Sequence, residues 1–218
     1  MALDGLSIDE FLAITGARKG GKRSGAAALL PQTSLLGPSA SQDRRVIAPS
    51  KIAGQTPAPK AIRLMGIDPG TRFVGWGVVE MQPRDRSLRM IDCGCIAPSV
   101  KLELRFRLRA IFADLEAIIA QTRPDAAALE ETFAGVNMKS AIAMGEGRGV
   151  ALLCLTRANL DVLELSPRSI KQAVTGSGAS GKAHVAAMVA AHLKLHKAPE
   201  PEDVTDALAA AIALAQRL

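Results

Sequence analysis

From Ala61 onwards, the hydrophobic pattern alternates between the two-residue period of strands and the roughly 3.6-residue period of helices. Three apolar strands with short connections come first, as in an antiparallel meander. Two helix–strand pairs and three further helices follow, so the predicted order is βββ-α-β-α-β-ααα. A mixed sheet with helices packed on it buries both sides of such a pattern, and we therefore predict an α/β architecture.

The predicted strands cover residues 62–67, 73–80, 88–97, 126–131 and 160–165. The predicted helices cover 101–122, 139–158, 167 to about 174, 182–195 and about 202–217. With 158 residues from 61 to 218, this part of the chain is long enough to bury a full core.

Residues 1–60 have a different composition, with seven Gly, five Pro and six Ser. Such a segment buries too little apolar surface to offset its ordering entropy, so we expect a mostly disordered, basic N-terminal extension. Ser7 and Glu10 have the spacing of a capping box, and a basic run from Arg18 to Arg23 follows. Two interpretations stay open: a frayed tail, or a partner-binding helix followed by an arm that attracts DNA.

The composition excludes several classes of protein. No apolar run approaches the roughly 18 residues of a membrane span, and the acidic start of the chain is unlike a secretory signal. Three cysteines give no disulfide framework, so we expect a cytoplasmic protein. Aromatic residues make up only 3%, which argues against a single-strand binder built on stacking platforms. The net charge of +6 suggests an acidic partner.

Four acids lie at the ends of predicted elements: Asp68, Glu130, Asp203 and Asp206. An apolar strand does not readily accept an unpaired carboxylate, and a hard divalent cation is a suitable partner for carboxylate oxygens. Two such ions could stabilise the attacking and leaving oxygens of phosphodiester hydrolysis. The spacing supports equally well a structural alternative, in which Asp203 caps the last helix and Glu130 is a solvated strand end.

Several segments resemble RuvC-type Holliday junction resolvases, in the order found in that family. They are GIDPGTRFVGWGVVE at 66–80, ALEETFAGVN at 128–137, GEGRGVAL at 145–152, SPRSIKQAVTGSGASGKAHVAAMV at 166–189 and EDVTDALAAAIALA at 202–215. The resemblance implies an RNase H-like fold with a five-stranded mixed sheet. It also implies a homodimer whose two active sites cut opposed strands of a four-way junction in recombination and repair. A branch-migration helicase complex is a further partner that the resemblance suggests.

The resemblance also implies roles for individual residues. Asp68, Glu130, Asp203 and Asp206 match the four metal-binding acids, with Asp68 bridging two Mg²⁺ ions that Mn²⁺ could replace. Glu130, rather than its neighbour Glu131, occupies the acid position of the motif. The residues expected to contact DNA are Phe133, which matches an aromatic wedge at the crossover, Lys171, Lys182 and, in the same basic stretch, Arg148.

Three other functions fit the sequence less well than a nuclease does. Gly176 to Lys182 has the spacing of a nucleotide-binding loop, but Ala183 replaces the required Ser or Thr and the preceding segment is a predicted helix. An actin-like ATPase would need a second domain, for which 158 residues leave little room. A junction-binding protein without cleavage would not need all four acids.

Overall fold

The computed structural model describes residues 60–131 and 138–218, and residues 1–59 and 132–137 lie outside the described part. The described part contains five strands: β1 (Ile62–Asp68), β2 (Val74–Met81), β3 (Leu88–Ile96), β4 (Ala126–Glu130) and β5 (Asp161–Leu165). It also contains five helices: α1 (Leu104–Thr122), α2 (Met138–Arg157), α3 (Pro167–Thr175), α4 (Lys182–His192) and α5 (Glu202–Ala215). The predicted order of elements is confirmed.

The strands form one mixed sheet in the order β3-β2-β1-β4-β5. The first three strands pair antiparallel, whereas β4 pairs parallel with both β1 and β5. The central strand β1 is therefore the point at which the sheet changes from antiparallel to parallel. This arrangement confirms the predicted α/β architecture with its antiparallel meander.

Helices cover both faces of the sheet. The alternation of side chains along β1 directs Ile62 and Leu64 into a core beneath α3, α4 and α5. Met65 and Ile67 point to the other face, where they pack with Ile111 and the rest of a core formed with α1 and α2. No helix of the described residues is long and apolar enough to cross a membrane.

Helix α5 is buried along nearly its whole length, from Val204 to Ala215, and lies directly against β1 and β2. The close approach depends on two strand glycines. A Cβ atom at Gly66 would lie 1.9 Å from the carbonyl oxygen of Ala207, and one at Gly75 would lie 1.9 Å from that of Asp203. Any larger residue at these two positions would push the helix away from the sheet.

Helix α5 ends at Ala215, about two residues earlier than predicted, and two other helices are shorter by three residues. Helix α1 begins at Leu104 rather than at residue 101, because residues 99–102 form a turn in which the Leu102 amide donates to the Ser99 carbonyl. Helix α4 ends at His192 rather than at residue 195, because Lys194 adopts a positive φ of 55° that an α-helix cannot contain. The predicted start of α3 is confirmed, with Pro167 in its first turn and Ser166 as the N-cap.

Candidate active site

Asp68 and Glu130 lie side by side at one edge of the sheet. They end β1 and β4, which run parallel and pair Ile67 with Leu129 immediately before the two acids. Because the carboxyl ends of neighbouring parallel strands meet at the same edge, the topology alone brings these carboxylates together. Both residues are half-buried.

Helix α5 brings the other two acids to the same edge. Gly75 pairs with Asp68 across β1 and β2, and the backbone of Asp203 packs against Gly75. Asp206 lies one turn further along α5, on the same face. Asp203 does not cap the helix, because Pro201 occupies the N-cap position. The structural alternative for Asp203 is therefore wrong, and the four predicted acids converge on one edge.

The acids perturb one another. Burial, together with the nearby carboxylates of Asp206 and Asp203, raises the pKa of Asp68 from 3.8 to about 7. Burial, followed by the charges of Asp68 and Asp206, raises the pKa of Glu130 from 4.5 to about 8. Burial also raises the pKa of Asp206, while Lys182 opposes the rise. The site thus concentrates negative charge that the protein itself does not neutralise.

Lys171 and Lys182, two of the predicted DNA contacts, lie beside these acids. With Glu130 and Asp206 they line a cleft of about 210 Å³ between α3, α4 and α5. Lys182 also forms an ion pair with Glu202, with 2.6 Å between Nζ and Oε1. The charge of Glu202 contributes to the raised pKa values of Asp68 and Asp206. Sequence reasoning missed Glu202, although its place in the first turn of α5 could have suggested it.

The other two predicted DNA contacts are Arg148 and Phe133. The Arg148 guanidinium forms an ion pair with Glu164 of β5, and its side chain is only 21% exposed. Its role as a DNA contact stays a prediction. Phe133 lies outside the described residues, in the segment 132–137 between β4 and α2.

The glycine-rich loop after α3 is organised by its own side chains. The Gly178 amide donates to Gln172 Oε1, and the Ser177 amide donates to Thr175 Oγ1. The loop follows helix α3, whereas a nucleotide-binding loop follows a strand. Both observations agree with the rejection of a nucleotide site at this position.

A second feature missed from the sequence is the support of the turn between β1 and β2. Arg107 of α1 is half-buried, and its Nη1 atom donates to the carbonyl oxygen of Thr71, 3.3 Å away. The turn begins directly after Asp68, so α1 helps to fix the backbone that carries this acid. The two residues are 36 positions apart, and no local pattern links them.

The residues at this edge fit a divalent metal ion by the chemistry of their donors. Four carboxyl groups supply hard oxygen ligands, and a bound cation would favour the ionised forms of Asp68 and Glu130, whose pKa values burial and neighbouring carboxylates raise. Within residues 60–131 and 138–218, no three His, Cys, Asp or Glu side chains already form a ready coordination group. Carboxylates that repel one another are expected to close around a cation only when it binds.

Comparison with known proteins gives consistent matches. The family model for the crossover junction endodeoxyribonuclease RuvC matches residues 64–214. The protein of that name from Roseiflexus sp. (strain RS-1) is 43% identical over 152 residues, which make up 70% of this chain and 89% of the relative. The one from Chloroflexus aurantiacus (strain ATCC 29366 / DSM 635 / J-10-fl) is 44% identical over 151 residues, or 69% of this chain and 91% of the relative.

A solved structure extends the match to the fold. Thermus thermophilus RuvC in complex with Holliday junction substrate is 32% identical to this chain, with a TM-score of 0.66. The match covers 70% of this chain and 92% of that one. The five-stranded mixed sheet is therefore RNase H-like, as predicted.

Proposed function

The chain belongs to the RuvC family of crossover junction endodeoxyribonucleases, and from this premise we propose how its own residues cut branched DNA. As a member of the family it is a structure-specific endonuclease that resolves Holliday junctions in recombination and repair by hydrolysing phosphodiester bonds. Nucleases of this family depend on a divalent metal ion. The finer assignments below concern the metal, the site residues and the partners of this chain.

The convergence of four carboxylates on one edge of the sheet carries the assignment of the active site. Asp68, Glu130, Asp203 and Asp206 would hold two Mg²⁺ ions, which Mn²⁺ could replace. When bound, such ions supply the positive charge that activates a water and stabilises the leaving oxygen. Asp68 lies between Glu130 on β4 and Asp203 on α5, so it is the acid best placed to serve both ions.

Lys171 and Lys182 are proposed to contact the phosphates next to the cleaved bond. Both line the cleft with Glu130 and Asp206, and neutralising phosphates by lysine supplies much of the affinity of a DNA-binding protein. Lys182 would exchange Glu202 for a phosphate when DNA binds, since this exposed ion pair contributes little stability. Phe133 and Arg148 remain candidate contacts from the sequence motifs.

We further propose a homodimer that forms along α2. This helix exposes large apolar side chains, with Met138 74% and Ile142 57% exposed one turn apart, and Leu153 half exposed further along the helix. Contiguous exposed apolar surface commonly marks an interface between proteins. A dimer would present two active sites for the paired cuts on opposed strands, and a branch-migration helicase complex is the candidate for a larger assembly.

The proposed organisation of the chain is a basic extension at residues 1–60 and a nuclease domain at residues 61–218. The family match to residues 64–214 supports the second part of this division. Free thiols at Cys93, Cys95 and Cys154 are compatible with a reducing compartment, and we place the enzyme in the cytoplasm.

A cleavage assay tests the proposal. The full-length protein is incubated with a synthetic four-way junction or a linear duplex of the same arm sequence, with and without Mg²⁺. We expect paired symmetric nicks in the junction only, dependent on metal, and lost in Asp68→Asn. Asp114→Asn, which removes an exposed acid of α1, serves as the matched control and should cut normally. Junction binding without nicks under any divalent metal would favour a binding protein instead.

A further inference from the structure

A patch of basic and apolar side chains lies outside the active-site cleft, where the first turns of α1 meet the turn between β1 and β2. We define this α1 patch by six residues: Arg72, Phe73, Leu102, Arg105, Phe106 and Arg109. The two aromatic rings are conspicuously open to solvent, with Phe73 51% and Phe106 37% exposed. The two segments are linked by the bond from Arg107 Nη1 to the carbonyl oxygen of Thr71.

The topology places the α1 patch at the same edge of the sheet as the four acids. Strand β3 runs antiparallel to β2 and therefore in the direction of β1, so its end at Ile96 lies at the edge where β1 ends at Asp68. The loop after β3 leads directly into the start of α1. The patch lies on the α1 and α2 side of this edge, whereas α5 approaches it from the opposite face.

The charge of the α1 patch is poorly compensated. Residues 97–112 contain four bases and a single acid, Glu103, which lies 3.0 Å from Arg105 in an exposed pair. The first turn of α1 contains no acid. A helix start is already the positive end of the helix dipole, so arginines there oppose helix stability. Charge arranged against local stability indicates a negative ligand.

Two arginines of the patch lie over the ring of Phe106. Arg105 Cζ lies 4.8 Å and Arg109 Cζ 5.5 Å from the centroid of Phe106. Holding guanidinium groups on an aromatic face reduces the entropy that they lose when they bind a phosphate. Arg157, which lies over the ring of Phe112, also donates to Glu116 at 2.9 Å, whereas Arg109 forms no ion pair with the described residues.

We infer that the α1 patch is a second DNA-contact surface, which binds the phosphate backbone of a duplex arm beside the active-site cleft. The inference rests on the proposed function and extends it: the cleft holds the phosphate that is cut, and the α1 patch holds the arm that leads away from it. The arginines contact phosphates, while Phe73 and Phe106 pack against the sugar-phosphate surface.

The test compares two double variants that remove the same charge. Arg105→Ala/Arg109→Ala alters the α1 patch, and Arg84→Ala/Arg157→Ala removes two arginines at the opposite edge of the sheet. Junction affinity of the full-length protein is measured in EDTA over a range of salt concentrations. Because no cleavage occurs in EDTA, the result does not depend on whether the protein cuts DNA.

We expect the patch variant to bind the junction about tenfold more weakly near 100 mM salt, with a salt dependence lower by roughly one to two phosphate contacts. Phe106→Ala should weaken binding about threefold without changing the salt dependence. The control variant should stay within about twofold of the wild type. Equal losses in both double variants, or no loss in the patch variant, would overturn the inference. So would a weaker dimer in sedimentation measurements of the patch variant, since the patch would then be an interface between copies of the chain.

Discussion

The two edges of the sheet treat their carboxylates in opposite ways. At the edge where β1 begins, Glu80 accepts a 2.9 Å hydrogen bond from Arg89 and lies 3.6 Å from Arg63. The bond from Arg89 and the two positive charges hold the pKa of Glu80 below its ordinary value. At the edge where β1 ends, burial and mutual repulsion raise the pKa values of Asp68 and Glu130.

Glu80 therefore stabilises the folded protein, whereas Asp68 and Glu130 destabilise it when they are ionised. Among the described residues, no lysine or arginine forms an ion pair with Asp68, Glu130, Asp203 or Asp206. Lys182 lowers the pKa of Asp68 by its charge, but its ion pair is with Glu202. Acids without counter-ions reduce the stability of the metal-free protein. The same arrangement leaves their oxygens available to a metal ion.

The largest expected effect is a loss of cleavage activity, and it should differ between the neighbouring acids Glu130 and Glu131. Glu130→Gln should reduce junction cleavage roughly 10³-fold, because it removes one of the charges that hold the catalytic ions. Glu131→Gln should stay within about fivefold of the wild type, since adjacent residues of an extended chain point in opposite directions. Cleavage rates under single-turnover conditions provide the measurement, with Glu80→Gln as a control acid from the other edge. Equal losses in Glu130→Gln and Glu131→Gln would contradict the assignment.

The second prediction concerns how α5 is seated. Gly75→Val should lower cleavage about 10²-fold, because a side chain at this position collides with the Asp203 backbone and moves that acid away from Asp68. Gly75→Ala should have a smaller effect in the same direction. Circular dichroism checks that the variants fold, and a metal titration followed by thermal shift checks that the loss arises at the site. Normal metal affinity in a folded Gly75→Val protein would break the link between this glycine and the active site.

The third prediction is that removing the charge of an acid changes the free energy of unfolding in opposite directions at the two edges of the sheet. A raised pKa means that the metal-free protein loses stability as pH rises from about 4 through about 7, where Asp68 ionises. Asp68→Asn should therefore be more stable than the wild type at pH 8, by on the order of 2 kcal/mol, and no more stable near pH 4. Urea unfolding in EDTA provides the measurement.

Two controls sharpen this result. Glu80 contributes stability above its ordinary pKa of 4.5, and that stability is lost as pH falls through its lowered value. Glu80→Gln should thus destabilise the protein at pH 8 by about 0.5–1 kcal/mol, the opposite sign from Asp68→Asn. Adding Mg²⁺ should then stabilise the wild type and leave Asp68→Asn largely unchanged. A wild type that is indifferent to divalent ions would argue against a metal site at this edge.

The sequence predicted the parts of this site that depend on local pattern. Strand and helix periods placed Asp68 and Glu130 at the ends of β1 and β4, and parallel pairing then brings such ends together. The three-residue spacing of Asp203 and Asp206 placed both on one face of α5. Pro167 marked the start of α3 because the fixed φ of proline suits the first turn of a helix.

The parts that escaped prediction all depend on partners far apart in the chain. The ion pair of Arg148 with Glu164 of β5 joins residues 16 positions apart, and the role of Arg148 as a DNA contact stays a prediction. The contact between Arg107 and Thr71 and the seat of α5 on Gly75 exist only once the sheet has formed. Gly75 lies in a predicted strand, but no local pattern identifies the helix that packs against it.

The smallest expected effect concerns the positive charge of residues 1–60. Residues 1–60 carry eight Lys and Arg against four Asp and Glu, so they account for +4 of the net charge of +6. If the extension acts as a DNA-attracting arm, removing residues 1–60 should leave junction cleavage at saturating protein unchanged. Affinity should fall about threefold to tenfold at low salt, and the loss should vanish near physiological salt, where unanchored charges are screened.

A charge variant separates the two interpretations of this extension. Changing Arg18, Lys19, Lys22 and Arg23 to Gln removes the basic run and leaves the Ser7 to Glu10 capping box intact. An electrostatic arm predicts that this variant reproduces the deletion, because counterion release depends on charge and not on folded structure. If only the deletion weakens binding, the segment before Arg18 carries the contact. An unchanged salt dependence in both variants would mean that the metal-binding edge and the α1 patch account for DNA binding without the extension.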